Sequence, residues 1–280
     1  MVAYAKSFLS KDNTEIYYEI SHPVKSHRHT LIFLHGLGGD LTAWYGEKFF
    51  FEKEGFQTVV VDLRGHGLSE RKKNLNSYKL DCFVNDIISL IEHEKLQKPV
   101  IIGHCFGGII AMILASKFPE IIEALILIDT SYKAPKVSKL ITQHEALKNL
   151  FLFIMKHASE FHLKGHANNK YFINTTDYDW KRILSDIAHV SLKSYMMISK
   201  NLWNLNILDA LVKIKNPTLI VEGLDDSVFT PEIAKKIQKR IIKSDLYLMK
   251  NANHILVLNN VKDLNSVIYN YLGKLKLARD

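Results

Sequence analysis

Cysteine is scarce: among 280 residues only Cys82 and Cys105 occur. Two such distant thiols build neither a disulfide framework nor a four-sulfur zinc site, so an apolar core must hold the fold, and a reducing, cytoplasmic setting is expected. Arginine is also rare, six of the 37 basic residues. That mixture argues against nucleic acid, because forked reading of bases and phosphates is arginine's chemistry. No apolar run approaches the roughly 18 residues of a membrane span. The opening MVAYAKSFLSKDNTEIYYEI lacks the apolar segment of a secretory signal, so the Asn174-Thr175-Thr176 glycosylation match is idle. Repeats and low-complexity tracts are absent.

What is present is ordinary globular usage, 47% hydrophobic and 24% charged. A chain this long buries about three quarters of its unfolded surface, enough for a full core and a smaller appendage. The net charge of +8 is uneven. Residues 136–206 hold nine Lys and Arg182 against Glu145, Glu160, Asp177, Asp179 and Asp186, a local +5. This excess reads first as a solvated lysine surface and second as a complement to an anionic substrate or carrier.

Apolar runs of strand length recur at Thr30–His35, Gln57–Asp62, Pro99–His104, Ala124–Asp129, Pro217–Glu222 and Asp245–Lys250. They are nearly continuous, as in parallel strands covered on both faces. Asn13–Ile20 mixes polar and apolar residues and suits an antiparallel edge hairpin. Helical patterns alternate with the strands at Asp81–Glu94, Phe106–Phe118, Pro231–Ile242 and Ile255–Leu272. The alternation predicts a doubly wound α/β sheet. One gap of about 75 residues, Tyr132–Asn206, has no convincing buried strand and reads as an inserted helical cap. The expected division is a core of residues 1–132 and 207–280 with a cap at 133–206.

The Pro99–His104 strand runs through Gly103-His104-Cys105-Phe106-Gly107-Gly108 straight into a helix. A nucleophile on so sharp a turn needs small flanks two residues either side, and Gly103 and Gly107 meet that need. A thiol at a helix N-terminus is favoured as thiolate; alone, Cys105 also reads as a small buried hydrophobe. His35-Gly36-Leu37-Gly38-Gly39 follows an earlier strand. There the N–H groups of Leu37 and Phe106 are placed to form an oxyanion hole, and His35, Gly36 and His104 around the same turn are candidate substrate contacts, His104 reading also as a packing and hydrogen-bonding residue. A Glu222–Pro231 loop rich in acids and then Asn253-His254-Ile255 complete the order nucleophile, acid, histidine.

With HGLGG, DLRGHGLS at Asp62–Ser69, GHCFGG, GLDDSVFTP and NANHI in this order, the sequence resembles the α/β-hydrolase superfamily over nearly its whole length, in the capped branch of esterases, C–C bond hydrolases, haloperoxidase-like and epoxide-hydrolase-like proteins. The resemblance implies an eight-stranded, mostly parallel sheet with an inserted helical cap. It implies Asp226, rather than Asp225, as the triad acid with His254 as base, and Asp129 as the fallback acid. It makes Asp62, Arg64 and His66 structural braces of the His35–Gly39 loop.

Cysteine in the serine position is the departure. It resembles dienelactone hydrolases and the much longer polyester synthases, and it argues against epoxide or haloalkane chemistry, which uses Asp. His162 and His166 lie i, i+4 without the glutamate of a zinc motif, so no metal and no cofactor are expected. Trp180, Trp203, Tyr195, Met196 and Met197 are candidates for a substrate cleft, or plain core. The expected activity is hydrolysis of a small ester or thioester through Cys105, His254 and Asp226. An acyltransferase using the same thioester, a non-catalytic binding protein and a redox-sensing thiolate are the alternatives.

Overall fold

The computed structural model describes residues 2–22 and 29–278. Eight strands form one sheet: β1 Val2–Leu9, β2 Glu15–His22, β3 Thr30–Leu34, β4 Gln57–Val61, β5 Val100–His104, β6 Leu125–Ile128, β7 Thr218–Gly223 and β8 Ser244–Met249. Their spatial order is β1-β2-β4-β3-β5-β6-β7-β8, antiparallel at β1, β2 and β4 and parallel from there on. The helices are α1 Tyr45–Lys53, α2 Leu80–His93, α3 Phe106–Lys117, α4 Lys136–Gln143, α5 Glu145–His157, α6 Trp180–Val190, α7 Leu192–Asn201, α8 Pro231–Arg240, α9 Leu256–Asn259 and α10 Val261–Lys274.

The central strands are buried at every position, and alternate side chains feed two separate cores. Ile32, Leu34, Val59, Val61 and Ile101 pack beneath α2, α3 and α8, whereas Leu31, Phe33, Val60, Val100 and Ile102 pack against α1 and α10. Coverage on both faces explains why their sequences show no polar alternation. This is the α/β-hydrolase fold expected from the sequence.

Two details differ. The Ile255–Leu272 pattern, read as one helix, breaks at Asn260, whose backbone leaves the helical region at φ −121° and ψ 30° while its side chain donates to Asn251 O. Strand β8, read as covered on both faces, is an edge strand with Asp245 and Tyr247 exposed. A run of apolar letters does not distinguish an edge from a centre.

Between β6 and β7 the chain leaves the sheet through an antiparallel bridge, Lys133 with Asn206, flanked by Ala134 N–H donating to Leu205 O and Ile207 N–H to Tyr132 O. Helices α4 to α7 lie in this excursion. It is tied down to the sheet layer: His166 Nε2 meets Asp62 Oδ2 at 2.7 Å, Ala167 N–H donates to Asp40 and Arg71 donates to the carbonyls of His189 and Val190.

Arg64 is fully buried, with Nε and Nη2 on the two oxygens of Asp86 at 2.6 and 2.5 Å and Nη1 on Asp12 at 2.8 Å. Truncating one partner of a buried pair leaves the other charge uncompensated. Asp86→Ala is therefore expected to lower unfolding free energy by about 3–5 kcal/mol. A urea midpoint that barely moves would refute this.

Candidate active site

The turn between β5 and α3 holds Cys105 at φ 50° and ψ −110°, a backbone region costly for any side-chain-bearing residue. The surroundings over-determine it. Cys105 N–H donates to Ile128 O at 3.0 Å, and Cys105 O accepts from Gly108 N, Ile109 N and, at 2.6 Å, Thr130 Oγ1. Glycine is required beside it: a Cβ on Gly103 would lie 2.5 Å from Gly107 O, and one on Gly107 only 2.1 Å from Leu34 O.

His254, on the loop before α9, stands within hydrogen-bonding reach of the Cys105 thiol. Its Nδ1 is 2.7 Å from Asp226 Oδ2, and Asp226 Oδ1 in turn accepts from Val228 and Phe229 N–H. Burial alone would push the imidazole down. The Cys105 sulfur nearby, the hydrogen bonds of the imidazole with Asp226 and Cys105, and the Asp226 carboxylate outweigh it, and His254 is held well above the usual imidazole range. Asp225 is exposed. Asp129 is buried, with Oδ1 accepting from Gly223 N–H and Oδ2 without a partner among the described residues. Its carboxyl, like that of Glu222, is driven up by burial and by neighbouring carboxylates, Glu222 to about 10. Asp226 occupies the place beside the histidine, and the two carboxyls raised by burial lie near it.

Leu37 and Phe106 line the same cavity as Cys105 and His254, and no described residue accepts from either backbone N–H. For Phe106 this follows from its place at the first turn of α3, where helix N–H groups lack internal partners. The sequence expected a braced loop at His35–Gly39. His66 Nε2 accepts from Gly38 N–H while Nδ1–H donates to Arg64 O, and His35 Nε2 accepts from Leu63 N–H while Nδ1–H donates to Gly36 O. Burial pushes both imidazoles below their usual range, as neutral acceptors require. Asp62 accepts from Leu41 and Leu68 N–H.

His104, read as a substrate contact, donates Nε2–H to His254 O at 2.8 Å instead, and burial pushes it down to about 3. It positions the neighbouring histidine. His35 and Gly36 likewise lie beneath the turn and do not line the cavity. Trp180 points into solvent with Lys181 over its ring, and Trp203 packs edge-on against Phe151 at 5.0 Å. Neither tryptophan lines the cavity. Trp180 opens α6 with its side chain exposed, and Trp203 lies in the turn after α7, a geometry a single chain's letters do not reveal. Tyr195 does line it, whereas Met196 and Met197 are core. His166 spends Nε2 on Asp62, away from His162.

Three charged residues of the inserted segment were counted in the sequence only as charges. Asp177 accepts His254 N–H at 2.8 Å and both Ser227 N–H and Oγ–H, gripping the two loops that carry the histidine and the acid. Arg182 and Asp186 pair at 3.2 Å along α6. Their i, i+4 spacing was the available signal. All three line a cavity of about 320 Å³ with Cys105 and His254. Among the described residues no helix is long and apolar enough to cross a membrane.

A family model described as the alpha/beta hydrolase fold matches residues 29–161. Epoxide hydrolase 1 of Caenorhabditis elegans is 24% identical over 270 residues, covering 87% of this chain and 65% of its own length. An esterase/lipase of Haemophilus influenzae is 28% identical over 264 residues, covering 89% of this chain and 83% of that protein. The enol-lactonase from Burkholderia xenovorans superposes with a TM-score of 0.73 at 18% identity, over 96% of this chain and all of the other. An esterase from Exiguobacterium antarcticum gives 0.73 at 20%, over 96% of this chain and 100% of that one.

Proposed function

We propose that this protein, an enzyme of the α/β-hydrolase fold, cleaves a small carboxylic ester or thioester by covalent catalysis, with Cys105 as nucleophile, His254 as acid and base, and Asp226 orienting the imidazole. The observation that carries the reading is the connected set: a strained Cys105 at a helix N-terminus, His254 within its reach, and Asp226 at 2.7 Å behind. The Cys105 sulfur attacks the carbonyl carbon, and the carbonyl oxygen takes up negative charge facing the Leu37 and Phe106 N–H groups. When the carbon–oxygen or carbon–sulfur bond of the leaving group breaks, His254 supplies its proton. Water then attacks the thioester, giving its proton to His254 and releasing Cys105.

Residues 133–206 act in this reading as a cap over a core formed by 1–132 and 207–280. Asp177 makes the cap part of the catalytic loops rather than a detached lid. The esterase/lipase and enol-lactonase relatives support ester chemistry; the epoxide hydrolase relative marks shared ancestry, because Cys105 stands at the nucleophile turn. Incubation with p-nitrophenyl acetate followed by intact mass tests the reading. An acetyl increment on Cys105, with turnover dependent on His254, is expected; no adduct and no turnover would refute it.

The raised His254 has a pH consequence. The contribution of its imidazolium to activity and stability is complete below about 6.5, the ordinary imidazole value. It is lost as pH rises through the higher folded value. The plateau of kcat/KM is expected to extend through neutrality and to fall on the alkaline side. In Asp226→Asn that alkaline limb should move toward acid by about one pH unit or more. An unmoved limb would exclude Asp226 as the group supporting the imidazolium.

A further inference from the structure

The cavity that holds Cys105 and His254 is lined mostly by apolar side chains, and a charged cluster interrupts that lining. Asp177, Arg182 and Asp186 form a polar ceiling at the start and along α6. Asp186 sits directly on the oxyanion loop: a Cβ added to Gly38, at φ +91°, would lie 3.0 Å from the Asp186 Cβ. The guanidinium is therefore held over the reaction side of the cavity, where its field reaches His104 and Tyr195.

Arg182 is undersatisfied there. Of five N–H donors, two have partners: Nη1–H on Asp186 Oδ2 at 3.2 Å and Nη2–H on the backbone Asp177 O at 2.7 Å. Its Nε–H is buried with no acceptor among the described residues. The Asp177 carboxylate is engaged elsewhere, on Ser227 and His254 N–H. Among the described residues the one acid paired with it is Asp186, which burial pushes up to about 7 against the opposing pull of Arg182, so near neutrality it is a weak counter-charge. A mostly buried arginine with spare donors and an incomplete counter-charge, facing a cavity, is a site for an anion. Its planar fork suits a carboxylate.

We infer that Arg182 is the anchor of a carboxylate-binding subsite and that the substrate is a short acyl ester or thioester carrying a second, free carboxylate on its acyl chain. The cavity volume of about 320 Å³ lies at the small end of ligand pockets, which suits a short chain. The free carboxylate completes the donor set of Arg182, and the scissile carbonyl then lies toward Cys105 and the Leu37 and Phe106 N–H groups. A neutral ester of the same length leaves the guanidinium unsatisfied.

The inference rests on the acyl chemistry proposed above, and the test separates the two. Steady-state kinetics compare monoethyl glutarate with ethyl valerate in the wild type, Arg182→Met and Arg182→Lys, and calorimetry follows binding of glutarate itself. The wild type is expected to prefer the monoanionic ester. In Arg182→Met the ratio of kcat/KM between the two esters should fall about 10- to 100-fold, the size of one or two charge-assisted hydrogen bonds, with the change in KM. Lysine should restore part of it, and glutarate binding should vanish in the methionine variant. If both esters decline together in Arg182→Met while glutarate binding persists, Arg182 is structural and the inference is overturned. It is overturned equally if the wild type favours the neutral ester. If glutarate binds only when Arg182 is present but Cys105 is never acylated, the subsite stands and the covalent reading fails.

Discussion

Cys105→Ala is expected to reduce ester turnover by about 10⁴-fold or more, because it removes the sulfur proposed as nucleophile. The residual rate should come from the oxyanion donors and binding alone. Two further readouts make the expectation specific. The acetyl mass increment must disappear, and thermal stability must be nearly unchanged, since the Cys105 backbone is held by Ile128, Gly108, Ile109 and Thr130 rather than through sulfur. Cys105→Ser is informative beside it. The raised His254 imidazole favours its protonated form beside the Cys105 sulfur, whereas a serine hydroxyl needs a neutral base, so the serine variant should fall below the wild type. A serine variant more active than the wild type would mean that cysteine disables a serine-type site, and the thioester reading would be lost.

Gly107→Ala is expected to destabilise the fold by about 4 kcal/mol or more, in the range reserved for severe core clashes, and to lower Tm by about 10 °C. The added Cβ would stand 2.1 Å from the Leu34 carbonyl oxygen and 2.8 Å from that of His35. Both are backbone atoms of the strand end and oxyanion loop, so no side chain can swing aside. Relief requires α3 to move off β3, which breaks the Gly107 N–H bond to His35 O and displaces Cys105 from the Leu37 amide. Gly273→Ala is the control: nothing lies within 4 Å of its Cβ, and α10 continues through it. There alanine should stabilise by up to about 1 kcal/mol. Equal melting temperatures for the two variants would show that the elbow tolerates relaxation and that Gly107 is not a packing requirement.

Much of the site was legible because its residues sit at chain-local junctions. Cys105 between small flanks, the His35–Gly39 loop after a strand, the acid loop after β7 and His254 after β8 each carry their own turn chemistry in a few consecutive letters. Glycine at 103 and 107 is dictated by distances to backbone that every such turn repeats. The helical excursion between β6 and β7 was legible only as an interruption in the strand rhythm. Which of its residues face the nucleophile depends on the seating of α6 and α7 over the sheet, and aromatic content pointed to Trp180 and Trp203 where the structure puts Asp177, Arg182 and Asp186.

The sequence by itself determined the doubly wound sheet, the order of its motifs and the identity of the candidate nucleophile, because hydrophobic period and turn residues act over a few positions of chain. The motif order pointed to Asp226, and tertiary structure placed its carboxylate on His254; tertiary structure alone decided that His104 donates to the His254 carbonyl and that Asp177 ties the inserted segment to the loops carrying Asp226 and His254. These depend on contacts between segments 28 to 150 residues apart. Their partners are chosen by burial and by the desolvation of charged groups once the layers have packed.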